Sequence, residues 1–279
     1  MLRSLFAVLF IVAGAALSFP ASVAVWEQRV LMDEDEFVSV GQDVLRGQAV
    51  QSRLTDRVAQ EALAIEPGLS PEAGRLLAGG IVQQLPESAI GEESLRRAQA
   101  LLVRLVRDEA LSAEDDSIVL DLGPVLERIV TSLNLELPAS ERIQLPPAAG
   151  QIVLVQETDL TLAFRLARLF DATAIYIAAL PLLAFALAIL TAPSRLLAFG
   201  ACGAVVAATS GLKIVLIEGA LATRLVDAAL IEASARAAAI ETYDAVAATF
   251  VQQEFVFLVG GLTVAIASLF LAAARTVVR

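Results

Sequence analysis

Four stretches of this chain are apolar over the length a bilayer requires, and the segments between them are rich in charge. Ser4–Trp26, Ala172–Ser194 and Phe255–Ala274 carry no charged side chain, and Leu196–Ile217 is apolar apart from Lys213 near its end. About 20 apolar residues in helical form cross roughly 30 Å of hydrocarbon, so the pattern predicts four transmembrane helices. The first stretch supports two readings. Arg3 followed by an apolar run, with Ser22-Val23-Ala24 as a small-x-small site, fits a cleavable export signal. The run nevertheless continues to Trp26, long enough to span, with Pro20 as a kink near its outer end, and the expectation is an uncleaved anchor.

Between the spans the period changes. Asp33-Glu34-Asp35-Glu36 opens a helix, its acids suited to the positive end of the helix dipole. A calcium loop would need alternating oxygen ligands, a turn glycine and a distal Glu, and here Phe37 and Val38 follow at once. Val50, Leu54 and Val58 recur at helical spacing within Val50–Leu63, and Pro67-Gly68 breaks that helix. Ser70 caps the next one, with Pro71 at its first position, and Gly79-Gly80 weakens it. A longer amphipathic helix follows over Ser88–Leu111, its apolar face including Leu95, Leu102, Leu105 and Val106. Ile118-Val119-Leu120 and Ile152-Val153-Leu154-Val155 are short, rich in β-branched residues and bounded by turn residues, which predicts two strands pairing as a small ribbon. Helices are expected over Pro124–Leu133 and from Thr158 onward, with Leu137–Ala149 as a loop. From Thr158 to Leu190 there is no Gly and only Pro181, so one helix is expected to run from the domain into the second span and to carry motion mechanically. Residues 218–254 read as an amphipathic outer helical segment that either lies on the membrane surface or caps the first domain. The fold class is therefore mostly α and membrane-embedded: four spans plus an extracytoplasmic helical domain containing a two-stranded β ribbon. The divisions are 1–26 (anchor), 27–171 (outer domain) and 172–279 (three-helix membrane region, with 218–254 outside).

Charge gives the orientation. Residues 26–168 hold 24 Asp and Glu against 13 Arg, so the whole net charge of −11 sits in that block. An acidic block speaks against nucleic acid, whose phosphates need clustered Arg and Lys, and against docking on anionic lipid. Arg3, Arg195, Arg275 and Arg279 flank the spans on one side, while Glu27, Asp171, Glu218 and Glu254 flank them on the other. Short cytoplasmic flanks are enriched in Lys and Arg, which places both termini of a multi-pass membrane protein in the cytoplasm. Small residues at Gly200, Ala204, Ala208 and Gly211, and at Gly261 and Ala265, mark close helix approach within the bundle or between copies in a homo-oligomer.

An anchor running into Asp33…Phe37-Val38 is followed by Val50…Leu54…Val58, the turn Val119-Leu120-Asp121-Leu122-Gly123-Pro124, Val155…Leu160 and three closing spans. In that order the chain resembles a group of bacterial, especially actinobacterial, four-span membrane proteins of unknown function. The resemblance implies an architecture and no activity. Asp121-Leu122-Gly123-Pro124 reads as structural, Asp121 ending a strand and capping the helix that Pro124 starts.

Candidate chemistry is sparse. With one Cys, Cys202, and no His, an intrachain disulfide and a Cys/His metal site are both excluded. No phosphate loop, HExxH or nucleophile elbow occurs, and no catalytic, cofactor-binding or metal residue is assigned. Ser210-Gly211-Leu212-Lys213 matches Ser-x-x-Lys without its companion motifs and inside a span. Neighbouring carboxylates such as Glu92-Glu93 and Asp115-Asp116 are expected on a solvated surface. Lys213 is the one candidate: an ionisable group within a span marks function by default. Asp171 and Glu254 stand at the same expected level, so an interfacial or intramembrane ion pair, a snorkelling side chain and an anion site all fit. The expected function is a non-enzymatic membrane protein whose outer domain binds or senses a protein or envelope partner, with a transporter or channel component as the alternative.

Overall fold

The computed structural model describes residues 2–65, 68, 70–107, 117–121, 123, 151–156, 161–221, 224 and 233–277. Four helices are long and apolar enough to cross a membrane: Leu2–Leu31, Ala172–Thr191, Arg195–Gly219 and Ala235–Arg275. The chain divides into two compact units, one of residues 1–30, 169–225 and 247–279, the other of residues 31–168 and 226–246.

The apolar unit contains α1 (Leu2–Trp26), continued by a π-helical turn to Leu31, and most of α6 (Thr161–Thr191). It also contains α7 (Arg195–Leu216) and the later part of α8 (Ala233–Val277). Pro20 and Pro181 lie inside α1 and α6 without ending them. Proline removes a backbone donor; near Pro20 the hydroxyls of Ser18 and Ser22 donate to the carbonyls of Ala15 (2.7 Å) and Ser18 (2.8 Å). A tight turn around Pro193 joins α6 to α7, with the Ala192 amide bonded to the Ala188 carbonyl at 3.0 Å.

Helices α7 and α8 meet through backbone. A Cβ on Gly203 would lie 2.7 Å from the Gly261 carbonyl oxygen, and one on Gly261 2.6 Å from the Gly203 oxygen. Close approach of this kind is what small residues permit in lipid, where apolar attraction between helices is absent. The packed stripe on α7 is Gly200, Gly203, Ala207 and Ser210, all buried, whereas Ala204 and Ala208 are exposed. Of the positions expected at Gly200, Ala204, Ala208 and Gly211, Gly200 and Gly211 meet α8 within the bundle, a Cβ on Gly211 lying 3.4 Å from Leu258, and Ala204 and Ala208 do not pack inside it. Strict four-residue steps drift around a helix of 3.6 residues per turn, and alternating steps of three and four stay on one side.

The polar unit contains α2 (Glu34–Arg46), α3 (Gln48–Ile65), α4 (Pro71–Gln84) and α5 (Ala89–Val106). Its core is Leu45, Val58, Ala59, Ala78, Val82 and Leu85, with Val50, Leu54 and Leu95 packed against it. Caps start three of these helices: Asp33 accepts from the Glu36 amide, Ser70 from Ala73 and Ser88 from Gly91. Gly79-Gly80, expected to weaken α4, lies in unbroken helix because Ala78 and Val82 on either side are almost fully buried; packing of the apolar face outweighs glycine's low propensity. The longer helix begins at its Ser88 cap as expected, and its described part ends at Val106, before Leu111. Two extended segments, β1 (Ser117–Asp121) and β2 (Gln151–Gln156), run antiparallel with Ser117 opposite Gln156 and Asp121 opposite Gln151.

α8 is one 45-residue helix, so no break separates residues 233–254 from the apolar stretch Phe255–Ala274. Several expected features lie outside the described residues: the helix over Pro124–Leu133, the loop Leu137–Ala149 and the start at Thr158. The same holds for Asp115-Asp116, Leu122 and Pro124 of the turn, most of 222–232, and Arg279.

Candidate functional site

Four buried polar residues of the apolar unit, Ser22, Lys213, Gln253 and Glu254, form one cluster. Lys213 lies on α7 one turn beyond Ser210, with the aliphatic stem to reach past its own helix. Its ammonium is 2.8 Å from Glu254 Oε2 on α8, and the two side chains are 4% and 0% exposed. Those values separate a packed ion pair from a side chain snorkelling to water. The other two donors of the ammonium go to α1: Ser22 Oγ at 2.5 Å and the Ser18 carbonyl at 3.4 Å. Two hydrogen bonds to α1 and one ion pair to α8 thus surround the ammonium with three oxygens from two other helices.

Gln253 completes the cluster. Its amide donates to the Ser22 carbonyl at 3.0 Å, so Ser22 is held through its hydroxyl by α7 and through its backbone by α8. On the acceptor side the cluster is less complete. Among the described residues, neither oxygen of Glu254 has an aligned hydrogen-bond donor, nor does Gln253 Oε1. The Lys213–Glu254 separation is therefore a charge contact at ion-pair distance and not an aligned hydrogen bond. A turn earlier on α8, Thr249 accepts from Trp26 Nε1 (2.8 Å) through its hydroxyl and from Arg29 (3.1 Å) through its carbonyl. Trp26 meets Phe250 edge to face at 6.2 Å. Amphipathic aromatic rings of this kind sit at membrane boundaries.

Of the three residues singled out in the sequence, Lys213 and Glu254 stand together; Asp171 belongs to α6, and its side chain lies outside the described residues. Sequence reasoning missed Ser18, Ser22 and Gln253. Ser18 and Ser22 stand four apart, on one face of an otherwise apolar helix, and that spacing was the available signal; Ser22 had been read only as part of a cleavage site. Within the Ser-x-x-Lys stretch, Lys213 directs its ammonium to α1 and Glu254. Among the described residues, no three His, Cys, Asp or Glu converge on a point where a metal ion could bind. What this arrangement does chemically is hold three apolar helices together through buried charge.

No protein-family model, no curated protein and no solved structure matches the chain.

Proposed function

We propose that this chain is a bacterial plasma-membrane protein, both termini cytoplasmic, whose outer helical unit binds or senses a protein or envelope component while its spans anchor it. In this reading it performs no chemistry, and the lipid bilayer is its constant partner. The observation that carries the reading is the buried Lys213–Glu254 contact, 4% and 0% exposed, with the ammonium also hydrogen-bonded to Ser22 and Ser18 of α1. A path for ions or solutes needs groups that water can reach, whereas a pair sealed between helices serves cohesion. The engagement of Ser18 and Ser22 also supports α1 as a retained anchor, because removal of residues 1–24 would strip Lys213 of two of its three acceptors. Arg3 and Arg195 open α1 and α7, and Arg275 lies in the last turn of α8, which supports the orientation. The antiparallel register of β1 and β2 supports a small ribbon as a lasting part of the outer unit.

One observation favours the alternative, a transporter or channel component: the Glu254 oxygens are buried without aligned donors, and such carboxylates line ion paths in other settings. The two readings part in one experiment on the full chain in its native membrane. A photoreactive residue replaces Leu76, which is 79% exposed on the outer unit. A discrete protein or envelope adduct, together with solute flux that does not change in Lys213→Met, is the expected result. Absence of any adduct combined with altered flux in Lys213→Met would reverse the choice.

A further inference from the structure

The helices of the polar unit begin in two ways. α2, α4 and α5 each carry their own side-chain cap, Asp33, Ser70 and Ser88. α3 follows Gly47, which has no side chain to offer. Its opening amides are answered instead by a residue 193 positions away: Glu241, on α8, accepts from Gln48 at 2.8 Å through Oε1, and from Ala49 at 2.7 Å and Val50 at 3.1 Å through Oε2. Three donors that a helix start leaves free are thus satisfied by one carboxylate at the positive end of the α3 dipole. Hydrogen bonds to an ionised acceptor are roughly twice as strong as neutral ones.

Gly47 makes the approach possible. Its φ of −59° and ψ of 133° suit any residue, so its glycine is not explained by backbone conformation. A Cβ there would lie 2.6 Å from both Cδ and Oε2 of Glu241. The missing methyl is the space the carboxylate occupies, and the atoms displaced by restoring it are the far end of a flexible side chain.

We propose that Glu241 is a latch, a single contact that orders the start of α3 and the outer turns of α8 together and frees both when it lets go. A cap supplied by its own helix steadies that helix alone, whereas a cap borrowed from another element ties two elements into one equilibrium. α8 is unbroken from Ala233 to Val277, so the latched turns belong to the helix that also carries Glu254. The proposal concerns the fold of the outer unit and stands whether or not that unit has a partner.

The test is amide hydrogen exchange on the full chain in detergent micelles, read separately for residues 48–50 and 236–245. Glu241→Ala is expected to speed exchange in both segments by roughly tenfold, the effect of losing a helix cap. Gly47→Ala is expected to do the same with Glu241 still present, because its methyl displaces the carboxylate. Adding Gly47→Asp to Glu241→Ala supplies a local cap for the second and third amides of α3 and is expected to restore residues 49–50 while 236–245 stay fast. If 236–245 are unaffected in Glu241→Ala, or recover with the local cap, Glu241 is a cap and not a latch; unchanged exchange in Gly47→Ala would likewise overturn the proposal.

Discussion

Removing the ammonium of Lys213 leaves Glu254 as a carboxylate buried among apolar helices with no opposite charge beside it. Breaking a buried pair from one side costs about 3–5 kcal/mol, and replacing both members with apolar groups of similar volume is often neutral. Lys213→Met or Glu254→Leu alone should therefore lower the thermal stability of the purified chain strongly, and Lys213→Met with Glu254→Leu should recover most of the loss. Melting curves of the three variants in one detergent decide it; a double variant as weak as the sum of the singles would mean the two residues act separately. Lys213 could be picked out from the sequence because charge inside an apolar run is conspicuous, and Glu254 because it flanks the last span at the same expected level. Ser22 and Gln253 could not, since uncharged polar residues are common in membrane helices and only three-dimensional proximity distinguishes those that hold a charge.

At the scale of helices, periodicity and end signals were informative. Asp33, Ser70 and Ser88 were readable as starts because a capping side chain acts within three residues of its position. The start of α3 was not, because its capping group comes from a helix nearly 200 residues on, and local sequence holds no trace of it. The α7–α8 contact was half readable: small residues announced close approach, but which of them faced inward depended on the turn angle accumulated between them. Gly203→Leu places a branched side chain where the Gly261 carbonyl lies 2.7 Å from a would-be Cβ. Overpacking of a filled contact costs about 1–3 kcal/mol or more, so this variant should unfold or aggregate at lower temperature, whereas Ala204→Leu, on the exposed side of the same helix, should behave as the parent. Equal effects at the two positions would discredit the inward stripe.

For the molecule as a whole, the division into an apolar and a polar unit follows the charge map almost residue for residue. Burial of apolar surface in lipid and solvation of charge in water act on the same chain and sort it into the two parts. The sidedness of the membrane belongs to the proposal above, and single cysteines read it. Ser194→Cys, in the turn before α7, should react with a membrane-impermeant thiol reagent only after permeabilisation. Gln51→Cys, in α3, should react in intact cells. Cys202 is buried and gives a low background. Labelling of both positions from the same side would overturn the orientation.

The numbering of the ion-pair cluster carries a consequence for how the protein is made. Its oxygens come from the first span and from the last, and the lysine lies between them in the order of synthesis. When α7 emerges from the ribosome, the hydroxyl and carbonyl of α1 are already in place, but Glu254 follows 41 residues later. Until then, of the groups that meet Lys213 in the folded chain, only the neutral oxygens of Ser18 and Ser22 are present. Closure of the bundle around Lys213 thus waits for α8 to be translated, and a stop codon before it leaves a product whose lysine lacks its carboxylate.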